Sequence, residues 1–145
     1  MFEHEPLVDW DIYKAVREEL GGAFVRILGY FREDGIKSVA AIEEAMRQGN
    51  AVSLVVPAHT LKGEARQFGA ERLASLAEAI EHFARHCVEL RQSPGEYVAQ
   101  AAALRPLFEE TLAALERDVN PLMQRKQPAG FGAAAFGKGF SRNDW

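Results

Sequence analysis

Apolar residues recur at every third or fourth position through the stretch that precedes Gly69. At about 100° per residue, Leu54, Ala58, Leu61, Ala65 and Phe68 fall in one narrow arc suited to burial. His59, Lys62, Gly63 and Arg66, spaced i, i+3, i+4, i+7, fall on nearly the opposite side. After Gly69 the stripe resumes with Leu73, Leu76, Ala77, Ile80, Phe83, Ala84 and Cys87, predicting a second core helix over residues 70–91. The two helices pack antiparallel about Gly69.

The flanking pattern is also helical. Asp9 or Asp11 caps a short helix, WDIYKAVREEL, which stops at Gly21-Gly22. Residues 23–33 form the next helix, with Phe24, Ile27, Leu28 and Phe31 at helical spacing. Asp34-Gly35 predicts a break or kink before a helix over residues 36–48 that carries Val39, Ile42, Ala45 and Met46. Gly49 closes it and Asn50 caps the following one. Pro57 predicts a kink or a ragged helix start, because an internal proline removes a hydrogen bond. Ser93-Pro94 reads as an N-cap and first helical position, opening a helix with Tyr97, Ala101, Leu104, Phe108, Leu112 and Leu115 and a kink at Pro106. Sustained period-2 alternation is absent, and the helical pattern around Val52–Val56 outweighs a strand there. The expected fold is all-α, an antiparallel four-helix bundle with an additional short N-terminal helix. Residues 1–8 read as a loose arm. Residues 1–120 form the domain, and 121–145 a Gly/Phe/Ala-rich tail of net charge +3, leaving −7 on the rest.

Composition narrows the function. A chain of 145 residues with 48% hydrophobic content is one folded domain by length. Net charge −4 and a pI of about 5.6 argue against nucleic-acid binding. The single Cys87 excludes an internal disulfide and suits a reducing cytoplasm. The N-terminus lacks a secretory pattern, and apolar runs fall short of the ~20 residues that span a bilayer.

The chemistry centres on His59. Imidazole, with a free pKa near ~6.5, exchanges protons or phosphoryl groups near neutrality. An outward ring can reach a second molecule. Lys62 places a cation beside it, suited to a phosphoryl group of roughly −1.5 to −2 charges. Gly63 costs a helix about 0.5–1 kcal/mol against alanine, and at this position it leaves room for a partner's approach.

The segment HTLKGEARQFGAERL closely resembles the H-x-L-K-G-x-x-x-x-x-G-x-x-x-L signature of histidine-containing phosphotransfer (HPt) domains, with His59, Leu61, Lys62, Gly63, Gly69 and Leu73 in place. The resemblance covers roughly residues 9–118. It implies a phosphorelay intermediate in which His59 exchanges a phosphoryl group with an aspartate of a response-regulator receiver domain. Two positions depart from the pattern. Glu64 and Arg66 stand where the family usually has small residues, and Arg66 is a candidate second phosphate-directed cation. Glu81 stands where many members carry glutamine; it either holds the ring N–H and fixes the tautomer or is a solvated charge. Arg85, one turn on, reaches the docking surface or pairs with Glu81 or Glu89. Val52, Val55 and Val56 form an apolar collar on the His59 side, either covered by earlier helices or open to a partner helix.

The expected protein is a cytoplasmic, monomeric phosphocarrier rather than a conventional enzyme, served by a sensor histidine kinase and receiver domains. It needs no cofactor of its own; Mg is expected on the receiver. Autophosphorylation is not expected, because GAAAFGK in the tail lacks the Ser/Thr and the flanking strand and helix of a phosphate loop. A different class of function is a helical adaptor that binds partners without carrying phosphate. A third is a metal-binding bundle using His82 and His86, spaced i, i+4, for which no third ligand is evident, so no metal site is expected.

Overall fold

The structure, a computed structural model, describes residues 4–126, with side chains placed as far as residue 119. Of the Gly/Phe/Ala-rich tail expected over residues 121–145, the part beyond residue 126 lies outside the described residues. The described chain contains α1 (Trp10–Leu20), α2 (Phe24–Arg47), α3 (Ala51–Gln67), α4 (Glu71–Leu90) and α5 (Val98–Lys126), with short 3-10 turns at Gly21–Ala23 and Gly95–Tyr97. No strand occurs among the described residues. The chain divides into two compact units, Met1–Ala114 and Leu115–Trp145. The first holds α1 to α4 and the N-terminal part of α5; the described part of the second is the remainder of α5.

Helices α2 to α4 and the part of α5 up to Ala114 form the antiparallel four-helix bundle, with α1 as the additional N-terminal helix. Phase is set by burial. Leu54, Ala58, Leu61 and Ala65 of α3 are fully buried, as are Leu73, Ala77 and Ala84 of α4. A run of ring contacts ties the elements together: Tyr13 to Phe24 at 5.3 Å, Phe24 to Phe68 at 5.9 Å, Phe68 to Phe31 at 5.3 Å and Phe31 to Phe108 at 5.8 Å. Each such pair contributes about 0.5–1.5 kcal/mol beyond the area it buries.

The start of α3 follows from its cap. Asn50 accepts a hydrogen bond from the Ser53 N–H at 3.1 Å, so the helix begins cleanly at Ala51. Pro57 then lies inside α3 and the helix continues past it, which removes the ragged start as an explanation. Gly69 ends the α3–α4 turn with φ +76°. Any side chain there is doubly disfavoured: the backbone is left-handed, and a Cβ would sit 2.6 Å from the Asp9 carbonyl.

Three expectations fail for identifiable reasons. The Asp34-Gly35 break does not occur, and α2 is one helix. Gly35 is buried, and a Cβ on it would overlap the Phe108 ring; the glycine lets α5 approach rather than letting α2 end. The expected loose arm is anchored over its described part. Arg72 donates to the Glu5 carbonyl from Nε and Nη2 at 3.0 and 2.8 Å, and Ser75 Oγ donates to the Glu5 carboxylate at 2.6 Å. Val8 is buried and the Asp9 N–H donates to the Gly69 carbonyl at 2.7 Å. Ser93-Pro94 opens the 3-10 turn, with Ser93 Oγ accepting from the Gly95 N–H at 3.3 Å, and α5 proper begins at Val98. At Pro106, α5 continues without a break in helix.

Candidate functional site

The buried arc of α3 fixes what its other side presents. Val52, Val56, His59, Gly63 and Arg66 are all exposed, and their spacing places them along one outer stripe. The His59 side chain is 61% exposed. Gly63, one turn beyond, has nothing but its chain neighbours and its own helix backbone within 4 Å of where a Cβ would stand. Its lack of a side chain is therefore not required by internal packing, and the space over the ring is open.

Beneath His59 lies Glu81 of α4, whose side chain is 4% exposed. Its carboxylate is the hub of the site. Oε2 sits 3.1 Å from His59 Nδ1 and accepts from Arg85 Nε and Nη2 at 3.0 and 2.9 Å. Oε1 meets Lys62 Nζ at 2.8 Å, an ion pair off the ideal hydrogen-bond angle. Burial pushes the Glu81 carboxyl up, but the Lys62 ammonium, the Arg85 guanidinium and the His59 ring N–H together outweigh it and hold the pKa down at about 2. The group is thus ionised near neutrality and can only accept. Nδ1 must then carry the ring hydrogen, which leaves the Nε2 lone pair on the opposite side of the ring, toward solvent.

The remaining residues singled out in the sequence fall as follows. Lys62 is only 16% exposed, turned down to Glu81 instead of standing beside the ring in solvent. Arg85 is 55% exposed and pairs with Glu81, not Glu89. Arg66 is drawn to Glu78, with Nη2 to Oε1 at 2.7 Å. Glu78 had no signal in the sequence, since a half-exposed glutamate on a polar face looks like any other. Its second oxygen lies 3.9 Å from His82 Nε2. His86 is exposed, and no metal-holding cluster of three or more His, Cys, Asp or Glu occurs among the described residues. Val55 is half-buried, while Val52 and Val56 are open to solvent. Val88 of α4 is exposed too and, with Val52, lines an open cleft of ≈ 400 Å³ at this end of the face. Glu64 points the other way, to α2. Burial, and then the charge and hydrogen bond of Asp34, push its carboxyl up to about 7.

A family model described as "Hpt domain" matches residues 26–118. Among solved structures, the chain is similar to histidine-containing phosphotransfer protein B of Pseudomonas aeruginosa, with 24% identity and a TM-score of 0.65 over 84% of this chain and 98% of that one. At that identity the likeness bears on fold alone. No curated protein matched the chain.

Proposed function

The chain belongs to the Hpt domain family, which carries out histidine phosphotransfer in phosphorelays, and we propose that His59 is its phosphoacceptor. One observation carries the assignment: an exposed imidazole donates from Nδ1 to a buried, ionised carboxylate. That contact selects the tautomer whose free lone pair, on Nε2, faces the solvent.

The geometry supports the following step. Nε2 attacks the phosphorus of an aspartyl phosphate on a receiver domain. The P–Nε2 bond forms, the P–O bond breaks, and the aspartate leaves with the electron pair. The ring keeps its Nδ1 hydrogen throughout, and Glu81 stabilises the positive charge that develops on it. Reversal returns the group to a receiver, so no proton need be gained or lost by the chain.

Gly63 leaves the partner's backbone room to come close. Val52, Val56 and the half-buried Val55 supply an apolar rim for docking. The partners are receiver domains and a sensor histidine kinase, with the receiver supplying Mg; this chain brings the nucleophile and its orienting carboxylate. We assign it to the cytoplasm as a monomer, consistent with a lone buried thiol and with the absence, among the described residues, of any helix long and apolar enough to cross a membrane.

Incubation of the full chain with a phosphorylated receiver domain tests the assignment. Label should move to an acid-labile, alkali-stable site and be lost in His59→Gln, whose Tm should match wild type because the ring is mostly in solvent. Equal labelling of His59→Gln would defeat the assignment.

A further inference from the structure

We propose that Arg85, not Lys62, is the cation that meets the phosphoryl group once it is on His59. This rests on His59 being the phosphoacceptor and concerns how that site manages charge.

Both cations touch Glu81, but they are not equivalent. Lys62 is the only cation on Oε1 among the described residues, and its side chain is 16% exposed. Were it to leave, an oxygen of a buried carboxylate would lose the contact that offsets its desolvation, a costly state. Arg85 shares Oε2 with His59 Nδ1. Were it to leave, that oxygen would keep the ring N–H. Arg85 is also 55% exposed, so its guanidinium already reaches solvent on the side where a partner arrives.

Charge points the same way. Lys62, Arg85 and Glu81 together carry one positive charge in excess, directly beside the ring. A phosphoryl group brings roughly −1.5 to −2. The planar fork of an arginine matches two phosphoryl oxygens at once, which an ammonium does not. Arg66, the other cation on this stripe, is bound by Glu78 at 2.7 Å. Arg85 is therefore the cation on this face that is both accessible and dispensable to the resting network. On phosphorylation it exchanges Glu81 Oε2 for the phosphoryl oxygens, while Lys62 stays and keeps Glu81 ionised under the ring.

The experiment loads the full chain with phosphoramidate, a small phosphoryl donor that needs no protein partner. Nε2 attacks phosphorus, the P–N bond of the reagent breaks, and ammonia leaves. Loading is followed by 31P NMR, and the Arg85 Nε–H and His59 ring nitrogens by 1H–15N spectra. In wild type the Arg85 Nε–H signal should shift on loading. Arg85→Gln should load about tenfold more slowly, a larger loss than Lys62→Gln shows, and Arg85→Lys should recover part of it. In Arg85→Gln, His59 Nδ1 should remain protonated, which separates contact with the phosphoryl group from an effect on ring orientation. Wild-type loading at His59 with an unmoved Arg85 signal, or with Lys62→Gln the slower variant, overturns the proposal and leaves His59 as acceptor. Absence of any P–N signal at His59 in the wild type removes the acceptor assignment, and this proposal with it.

Discussion

Glu81→Ala should lower phosphotransfer through His59 by about a hundredfold. With the carboxylate gone, nothing fixes the hydrogen on Nδ1, so the ring samples the tautomer whose Nε2 carries a hydrogen and cannot attack. The loss should be smaller than the ~10⁴ that follows when a catalytic triad loses its orienting aspartate, because an exposed ring re-equilibrates its tautomers in water. Stability should change little. The substitution removes the buried charge itself instead of stranding it, and Arg85 and Lys62 can turn to solvent. Glu81→Gln keeps an acceptor oxygen but sets an amide NH2 against two cations, so roughly tenfold loss is expected. Transfer rates from a phosphorylated receiver, read beside Tm, check both variants; a Glu81→Ala protein that transfers at the wild-type rate would remove Glu81 from the mechanism.

The same substitution has a signature in pH. The folded pKa of Glu81 lies near 2, below its ordinary value of 4.5. Relative to the protonated carboxyl, the stability that its ionised form contributes is therefore complete above about pH 4.5 and is lost as the pH falls through 2. Glu64 has the opposite sign: with a folded pKa raised to about 7, its contribution is present below 4.5 and fades as the pH rises through 7. Glu81→Ala should flatten the acid limb of a Tm-against-pH curve and leave the neutral limb as it was.

Gly63→Gln should separate folding from function most sharply. The site of the missing Cβ is open, and glutamine favours a helix interior over glycine by about 0.5–1 kcal/mol, so Tm should hold or rise. Transfer from a receiver domain should nevertheless fall by more than a hundredfold, because a long side chain one turn from His59 occupies the space the partner needs. Loading by phosphoramidate, a much smaller reagent, should suffer far less. A variant that accepts phosphate from a receiver at the wild-type rate would show that the glycine is not there for the partner.

Much of this site was legible before any coordinates. The buried arc of α3 determines that His59 and Gly63 face out, and the Gly49-Asn50 pair marks where α3 begins. What was not legible depends on residues distant in sequence. Gly35 looked like a helix break because its reason, the Phe108 ring, lies on another helix. Residues 4–8 looked loose because Arg72 and Ser75, their anchors, sit on α4. Spacing left two roles open for Glu81, and only the depth of its carboxylate under Lys62 and Arg85 distinguishes an orienting group from a solvated charge. Lys62 itself was placed outward by its position on the helix, but its long stem lets the ammonium turn inward to the charge.

A carrier must both take the group and give it up. The most direct test loads the full chain from one purified phosphorylated receiver domain, removes that donor, and adds a second, unphosphorylated receiver. Label should first reside on Nε2 of His59 and then appear on the second receiver as it disappears from the chain. Label that never reaches His59, or that reaches it and cannot be passed on to any receiver, would contradict the account.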